Sequence, residues 1–286
     1  MSQLLTTRST SSVRETLGLW CDANERIALV PTLGNLHEGH LTLTNLARSQ
    51  ADRVVCSIFV NPTQFGADED LEGYPRTIDQ DEAMLAEQGS VDLLFLPDMR
   101  TIYPYGTDSA VSISLPALSE DLCGAARPGH FNGVASVVLR LLNIISPDIL
   151  VLGEKDYQQR ILIGCMITDL HLPIRVAAGE IHRESDGLAM SSRNGYLTAE
   201  ERRIAPSLNA VLEKLADALR RGEANYAELE ESTAEQLVER GFKPDYVAVR
   251  RARDLAPPEV FEPGDGRIVL AAAWLGRARL IDNVRV

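Results

Sequence analysis

The segment Pro31–His40, with the sequence PTLGNLHEGH, decides the fold of this chain. It follows an apolar run, Ile27–Val30, and precedes a segment with helical spacing that begins at Leu41. This order predicts a strand that ends in a turn and a helix that starts directly after the turn. The N-terminus of a helix presents unpaired N–H groups and a partial positive charge, so the turn is suited to bind phosphate.

The same turn holds two glycines and two histidines, and the histidines His37 and His40 are three residues apart. Gly34 and Gly39 let the backbone approach a ligand closely, because neither residue carries a side chain. Two imidazoles at one place can donate hydrogen bonds to the charge that develops on a phosphoryl group. The turn therefore predicts attack on a nucleoside triphosphate, with the histidines stabilising the transition state.

Two simpler roles are also open for the histidine pair. A histidine near a helix start is often a cap or a core residue, and histidines three residues apart share a helix face that can bind a metal ion. The zincin motif, however, places its two histidines four residues apart with a glutamate between them. A metal site also needs a third ligand, and the sequence, with five histidines in all, offers no clear one.

The composition is that of an ordinary soluble protein, with 45% hydrophobic and 24% charged residues. The 286 residues are enough for two domains. A net charge of −13 argues against a nucleic-acid partner, because a phosphate backbone requires clustered lysine and arginine. A local pocket on such an acidic protein can still bind a small anion.

The sequence also indicates a cytoplasmic protein that does not enter a membrane. The N-terminal residues contain no apolar signal segment, and no apolar run approaches the roughly 20 residues that span a bilayer. The cysteines form no C-x-x-C pair, so we expect them to be reduced and mostly buried. They are Cys21, Cys56, Cys123 and Cys165.

Short apolar runs alternate with segments of helical spacing in the first part of the chain. Runs without polar alternation, separated by helices, predict a parallel sheet that is covered on both faces. The predicted fold class is therefore α/β, with a doubly wound, Rossmann-like sheet that binds ligands at the carboxyl ends of its strands. The predicted strands are Ile27–Val30, Val54–Val60, Val91–Leu96 and Ile149–Leu152, and the helices between them include Asp79–Gln88 and Val134–Ile145.

The pattern changes after about residue 184. One helix is predicted over Glu200–Arg221, with Pro206 near its start, and a second over Tyr226–Arg240. Helices followed by closely spaced strands predict a smaller α+β domain with an antiparallel sheet. We therefore expect a Rossmann-like domain over residues 1–184 and a smaller lid domain over 185–286. The strands predicted in the latter are Tyr246–Arg250, Arg267–Ala273 and Arg279–Val284.

Two further loops follow predicted strands and carry polar side chains. Gln64, after an Asn-Pro turn, offers one acceptor and two donors that match a hydroxy acid, although a capped turn with a solvated amide fits as well. Lys155, in the segment Gly153–Gln159, is a point charge suited to phosphate. Asp156 is a partner for a ribose hydroxyl, or simply for Lys155 in an ordinary surface ion pair.

Two other segments are weaker signals. Asp186–Asn194 combines serine hydroxyls with Arg193, which makes an anion cradle or a polar loop that caps a helix. Leu122–Val134 is rich in glycine, but it lacks the spacing of a dinucleotide fingerprint or a P-loop. We interpret His130, within that segment, as a structural donor rather than a site residue.

Taken together, these segments resemble the pantoate–β-alanine ligase family, whose HxGH motif is shared with many nucleotidyltransferases. The likeness covers most of the first 200 residues, and the last third adds only its general layout. Leu33 stands where methionine is common in the family, and Asn35 where alanine is common. The segments that carry the resemblance are Pro31–His40, Phe59–Phe65, Asp70–Arg76, Leu122–Val134, Gly153–Gln159 and Gly187–Tyr196.

The resemblance implies an ATP-dependent ligation in two steps. ATP and pantoate give a pantoyl adenylate and pyrophosphate, and the amine of β-alanine then attacks the acyl carbon to give pantothenate and AMP. It also implies Mg²⁺ with the ATP, and a homodimer. The metal ligands stay unknown, since the match around Asp79 and Asp81 is too loose to assign them.

The resemblance also assigns roles to single residues. His37, His40, Lys155 and the residues in place of the KMSKS loop of related synthetases, Ser191, Ser192 and Arg193, would be catalytic. Gln64 and Gln159 would hold pantoate, and Gln64 would also lie near β-alanine. The residues implied to bind ATP are Leu33, Gly34, Asn35, Leu36, His37, Glu38, Gly39, His40, Gly153, Glu154, Lys155, Asp156, His182, Met190, Ser191, Ser192 and Arg193.

Two other functions compete with the ligase. A nucleotidyltransferase that moves AMP or CMP onto a phosphorylated acceptor would need additional basic residues, whereas two glutamines are assigned to the acceptor here. A regulatory module that binds nucleotide without catalysis would be expected to lack His37, His40, Lys155 or Arg193, and all four are present.

Overall fold

The structure of the chain is a computed structural model, which describes residues 4–66, 69, 71–115, 117–260 and 264–286. Asp70, the first residue of one segment that carries the family resemblance, lies outside the described residues. The strands are β1 (Leu5–Thr7), β2 (Ile27–Thr32), β3 (Arg53–Ile58), β4 (Leu93–Phe95), β5 (Ile149–Gly153), β6 (Arg175–Gly179), β7 (Lys243–Arg251), β8 (Arg267–Leu275) and β9 (Ala278–Arg285). The helices are α1 (Thr10–Asp22), α2 (Glu38–Gln50), α3 (Ile78–Gln88), α4 (Met99–Ile102), α5 (Cys123–Ala126), α6 (His130–Ile145), α7 (Tyr157–Asp169), α8 (Ala199–Ile204), α9 (Ser207–Arg220) and α10 (Tyr226–Glu239).

Six parallel strands form the larger sheet, in the order β1-β4-β3-β2-β5-β6. The strand order reverses at β2, because the chain proceeds from β2 to β3 and β4 on one side and returns to β5 and β6 on the other. Parallel sheets of this kind bind ligands at the carboxyl edge beside such a reversal. The turn that follows β2 therefore lies at the place where this fold binds its ligand.

The central strands are mostly apolar because helices cover both faces of the sheet. Leu29 and Val30 of β2 and Val54 and Cys56 of β3 are fully buried. The predicted α/β fold class, with a parallel sheet and a second, smaller sheet, is confirmed. The prediction missed β1 and β6, which are the outermost strands of the sheet.

The smaller sheet is antiparallel, with the order β7-β8-β9. Its core joins apolar residues of α9, such as Leu212 and Leu219, to Val269 of β8 and Leu280 of β9. The segment predicted as one helix over 200–221 forms two helices, α8 and α9, with a break at Ala205 and Pro206. The break follows from Pro206, because proline has no N–H to donate to the preceding turn.

The chain divides into two compact units. One comprises Met1–Glu154 and Leu162–Glu180, and the other comprises Lys155–Ile161 and Ile181–Val286. Helix α7 thus begins in the second unit and ends in the first. The domain boundary that the sequence places after residue 184 stays a prediction.

The cysteines are more exposed than the sequence predicts. Cys56 and Cys123 are buried, but Cys21 and Cys165 are exposed, so the expectation that most are buried is wrong for two of the four. Burial, with a smaller contribution from the nearby charge of Asp81, raises the pKa of the Cys56 thiol to about 12. Since the thiolate is the reactive form, the raised pKa makes Cys56 unreactive, and its burial also keeps reagents away.

We therefore expect two thiols to react quickly with an aromatic disulfide reagent at pH 8 in the native protein, and four after denaturation. Replacement of Cys21 and Cys165 by serine should abolish the fast phase, whereas Cys56→Ser should leave it unchanged. A fast phase that involves Cys56 would contradict the burial described above. The reaction is followed by absorbance in the presence and absence of denaturant.

Candidate active site

The turn after β2 is built by two residues in the left-handed region. Gly34 has φ +85° and Asn35 has φ +51°. A Cβ on Gly34 would lie 2.9 Å from Cγ2 of Ile58 and 3.2 Å from Oδ2 of Asp81, so only glycine fits there. Asparagine tolerates the left-handed region better than alanine does, so Asn35, an exception to the family pattern, suits the geometry of the turn.

Helix α2 begins at Glu38, so His37 is its N-cap and His40 lies in its first turn. The two imidazole rings are 4.1 Å apart between centroids. The backbone N–H of His37 donates to Nδ1 of His40 at 3.3 Å. Because Nδ1 accepts, the ring hydrogen of neutral His40 is on Nε2, which makes Nε2 a hydrogen-bond donor.

Asp81 supports this turn from α3, and the sequence alone did not assign it that role. Its carboxylate is 1% exposed and accepts from the backbone N–H of Asn35 at 2.9 Å and of Leu36 at 2.8 Å. Thr77 donates its hydroxyl to the same carboxylate at 3.0 Å. A buried carboxylate with these donors fixes the backbone immediately before His37.

The turn after β3 holds Gln64 in a buried position. The side-chain amide of Asn61 donates to Oε1 of Gln64 at 3.0 Å and to the backbone oxygen of Gly133 at 3.1 Å. Tyr103 donates its hydroxyl to Oδ1 of Asn61 at 2.9 Å. Gln64 is 8% exposed, so the alternative of a solvated amide is wrong. Oε1 accepts from Asn61, and the N–H groups of Gln64 are donors suited to a hydroxyl or carboxylate oxygen.

Helix α6 packs closely on that turn. A Cβ on Gly133 would lie 2.1 Å from the backbone oxygen of Thr63 and 2.7 Å from the backbone nitrogen of Gln64. Only glycine allows this approach. Gly133, within the glycine-rich segment, therefore serves packing against the Gln64 turn.

Lys155 and Gln159 belong to the second compact unit. Nζ of Lys155 lies 3.7 Å from Oδ2 of Asp156, so the ordinary ion pair considered from the sequence is present. The side chain of Asn283, in β9, donates to the backbone oxygen of Lys155 at 3.2 Å and holds the segment in place. Gln158 is buried and Gln159 is half-buried, so the two glutamines face different ways.

The segment that carries Met190–Arg193 is anchored within the same unit. Met190 donates its N–H to the backbone oxygen of His182 at 2.9 Å, and Arg183 pairs with the buried carboxylate of Asp282 at 2.7 and 2.9 Å. The hydroxyl of Ser191 accepts from the N–H of Arg193 at 3.3 Å. Ser191 thus caps the short helix Ser192–Tyr196, as the alternative of a capped polar loop proposed.

The structure thus brings the sequence-predicted residues together in two groups. The first unit holds the β2 turn with its histidines, the Gln64 turn after β3, and Glu154, which follows Gly153 at the end of β5. These three loops follow neighbouring parallel strands at one edge of the sheet. The second unit holds Lys155, Asp156, Gln159, His182 and 190–193.

No group of three or more histidine, cysteine, aspartate or glutamate residues in the described part of the chain is arranged to hold a metal ion. No helix among those same residues is both long and apolar enough to cross a membrane.

Comparison with known proteins decides the family. The model of the pantoate–β-alanine ligase family matches residues 5–285. The chain belongs to this family. Pantothenate synthetase from Thioalkalivibrio sulfidiphilus is 51% identical over 282 residues, with coverage of 98% of this chain and 97% of the relative. The family, fold class and ligase activity predicted from the sequence are therefore confirmed.

Solved structures of pantothenate synthetases are also similar. The enzyme from Thermus thermophilus has a TM-score of 0.89 at 39% identity, with 98% of each chain covered. A pantoate–β-alanine ligase from Francisella tularensis, solved in complex with "beta-gamma ATP" and β-alanine, has a TM-score of 0.81 at 33% identity. The latter comparison covers 99% of this chain and 97% of that chain.

Proposed function

We propose that this ligase condenses (R)-pantoate with β-alanine through a pantoyl adenylate. A pantoate carboxylate oxygen attacks the α-phosphorus of ATP, and the bond to pyrophosphate breaks. The amine of β-alanine then attacks the acyl carbon, loses a proton, and expels AMP. Activation is required because a carboxylate is a poor acyl donor, and AMP is a far better leaving group than oxide. ATP as co-substrate is supported by the complex of the relative from Francisella tularensis.

The observation that carries the mechanism is the orientation of His40. Its Nδ1 accepts a backbone N–H, so the hydrogen of the neutral ring is on Nε2, in the first turn of α2. We assign this donor to the triphosphate oxygens, where negative charge grows as pyrophosphate leaves. His37 and the N–H groups of the turn Leu33–His40 add further donors beside the positive end of the helix.

We assign the cationic groups of the second unit to the same nucleotide. Lys155 and Arg193 supply positive charge for the leaving pyrophosphate, and Ser191 and Ser192 supply hydroxyl donors. Gly153, Glu154, Asp156, His182 and Met190 complete the proposed ATP-binding set. Mg²⁺ is proposed to enter with ATP and to be held by phosphate oxygens, where it would offset their charge.

We assign the acceptor side of the reaction to the two glutamines, Gln64 and Gln159. Neutral amides suit a hydroxy acid, because they donate to its hydroxyl and carboxylate oxygens without adding charge.

We further propose that the enzyme is a cytoplasmic homodimer with small-molecule partners only.

The decisive experiment is exchange of labelled pyrophosphate into ATP. The proposed mechanism predicts exchange that requires pantoate and does not require β-alanine. Exchange without pantoate would favour a nucleotidyltransferase or hydrolytic activity. No exchange under any condition, in a protein that still binds ATP, would favour a regulatory module.

Gln159→Ala is expected to raise the KM for pantoate by about tenfold, because one hydrogen bond to the substrate is lost. The KM for ATP should change by less than about twofold. Both constants are measured by pyrophosphate exchange. Gln158→Ala is an unsuitable control because Gln158 is buried. The comparison variant is Asp156→Asn, at an exposed residue assigned to ATP, and its KM values for pantoate and for ATP are measured in the same way. Equal changes in both KM values would contradict the assignment of Gln159 to pantoate.

A further inference from the structure

The backbone oxygen of Gln64 accepts hydrogen bonds from two side chains. Nδ1 of His130, the first residue of α6, lies 2.8 Å from this oxygen. A terminal nitrogen of Arg127 donates to the same oxygen at 3.3 Å. His130 is thus a donor in this contact, as the sequence indicates, and its acceptor is the residue assigned to pantoate.

The two contacts of His130 fix its tautomer. A carbonyl oxygen only accepts, so Nδ1 carries the hydrogen and donates it to Gln64. Nε2 lies 3.0 Å from the other terminal nitrogen of Arg127, which only donates. Nε2 is therefore the acceptor, and His130 is neutral, with a hydrogen bond at each ring nitrogen.

Arg127 is itself held in place by Glu69. The guanidinium forms a two-pronged ion pair with the carboxylate, with both contacts at 2.5 Å. The side chains are only 14% and 20% exposed. Partial burial of a paired, planar fork limits the positions that Arg127 adopts.

Gln64 is thus fixed at both ends. Its side-chain oxygen is held by Asn61 at 3.0 Å, and its backbone oxygen by His130 and Arg127. A residue held in this way loses little further freedom when a ligand binds, so binding costs less entropy.

We infer that His130, supported by Arg127, is a positioning residue that orients the Gln64 amide for the hydroxy-acid substrate. This inference rests on the proposed assignment of Gln64 to pantoate. It adds a specific requirement: the Nδ1–H donor of residue 130 sets the affinity for pantoate and leaves the affinity for ATP unchanged.

Two variants separate the donor from the bulk of the ring. The Nδ2 amide of asparagine lies the same number of bonds from the backbone as Nδ1 of histidine, so His130→Asn keeps the donor. In His130→Gln the amide replaces Nε2 instead, and the donor to Gln64 is lost. We expect His130→Gln to raise the KM for pantoate about tenfold and His130→Asn by less than about threefold, with the KM for ATP unchanged in both.

Gln64→Ala provides the reference background. In pyrophosphate exchange, Gln64→Ala should raise the KM for pantoate, and His130→Gln should add nothing further in that background, since the two residues act together. Thermal melts of all variants show whether each remains folded at the assay temperature.

The outcomes distinguish the inference from the proposal beneath it. Equal KM values for pantoate in the asparagine and glutamine variants, or parallel changes for ATP, would overturn the role of His130 alone. Additive effects in the double variant would also overturn it. If Gln64→Ala leaves the KM for pantoate unchanged, the assignment of Gln64 fails and the inference fails with it.

Discussion

His40→Ala is expected to slow formation of the adenylate by about 10²–10⁴-fold, the loss typical of a donor or acid–base group that acts in the transition state. We attribute this loss to Nε2–H of His40, the proposed donor to the triphosphate, because Nδ1 accepts the N–H of His37 at 3.3 Å. Alanine removes this donor and leaves the backbone of the turn in place. The rate is measured in a single turnover with excess enzyme, from ATP and pantoate without β-alanine.

A graded variant tests which atom of His40 matters. The amide nitrogen of glutamine lies as far from the backbone as Nε2 of histidine, so His40→Gln should recover part of the lost rate. Thr42→Ala is the matched control, because Thr42 is exposed on the same helix two residues later. A wild-type rate for adenylate formation in His40→Ala would refute the proposed role, and so would an equal loss in the alanine and glutamine variants.

The fold was predictable where a local pattern determines it. The apolar runs of β2, β3 and β5 contain no polar alternation, and this marks strands that are buried on both faces. The turn after β2 was predictable for the same reason, since Gly34 and the following helical pattern lie within ten residues of the strand.

Elements at the edges of the structure were less predictable. Strand β1 has only three residues, Leu5–Thr7, two of them threonines, and Leu5 is 48% exposed. Edge strands such as β6 need no continuous apolar run, because one side has no neighbouring strand. The break between α8 and α9 was missed because the apolar spacing continues past Pro206, although proline interrupts the backbone hydrogen bonds.

The support of the site was the least predictable part. Asp81 lies 45 residues after Leu36 in the chain, yet their contact is 2.8 Å. No local pattern distinguishes Asp81 from Asp79, since both are acidic residues in the first turn of α3. Only the packing of α3 against the turn after β2 selects the buried one. The histidines could be found from sequence, whereas the groups that hold them required the fold.

Asp81→Ala is expected to lower the free energy of unfolding by about 3 kcal/mol, because the backbone N–H groups of Asn35 and Leu36 lose their acceptor in a buried place. It should also lower kcat by about 10²-fold, since small misplacement of catalytic groups is costly. Stability is measured by urea denaturation and kcat by steady-state pantothenate formation. Asp79→Ala is the matched control, because Asp79 is exposed two residues earlier on the same helix.

Two further substitutions separate stability from positioning. In Asp81→Asn one oxygen still accepts an N–H, but the amide faces the other donor, so kcat should fall less than in Asp81→Ala. Thr77→Val removes only the hydroxyl contact at 3.0 Å and leaves both contacts to the turn. It should therefore lower stability by about 1 kcal/mol and leave kcat near the wild-type value.

The comparison between Thr77→Val and Asp81→Asn decides what the carboxylate does. If Asp81 only stabilised the fold, kcat per folded molecule would be the same in both variants at a temperature where each is fully folded. If it positions the turn, kcat falls only where a contact to Asn35 or Leu36 is lost. Those two N–H groups immediately precede His37, so their displacement is expected to move the donor of His40 relative to the phosphate that we propose it contacts.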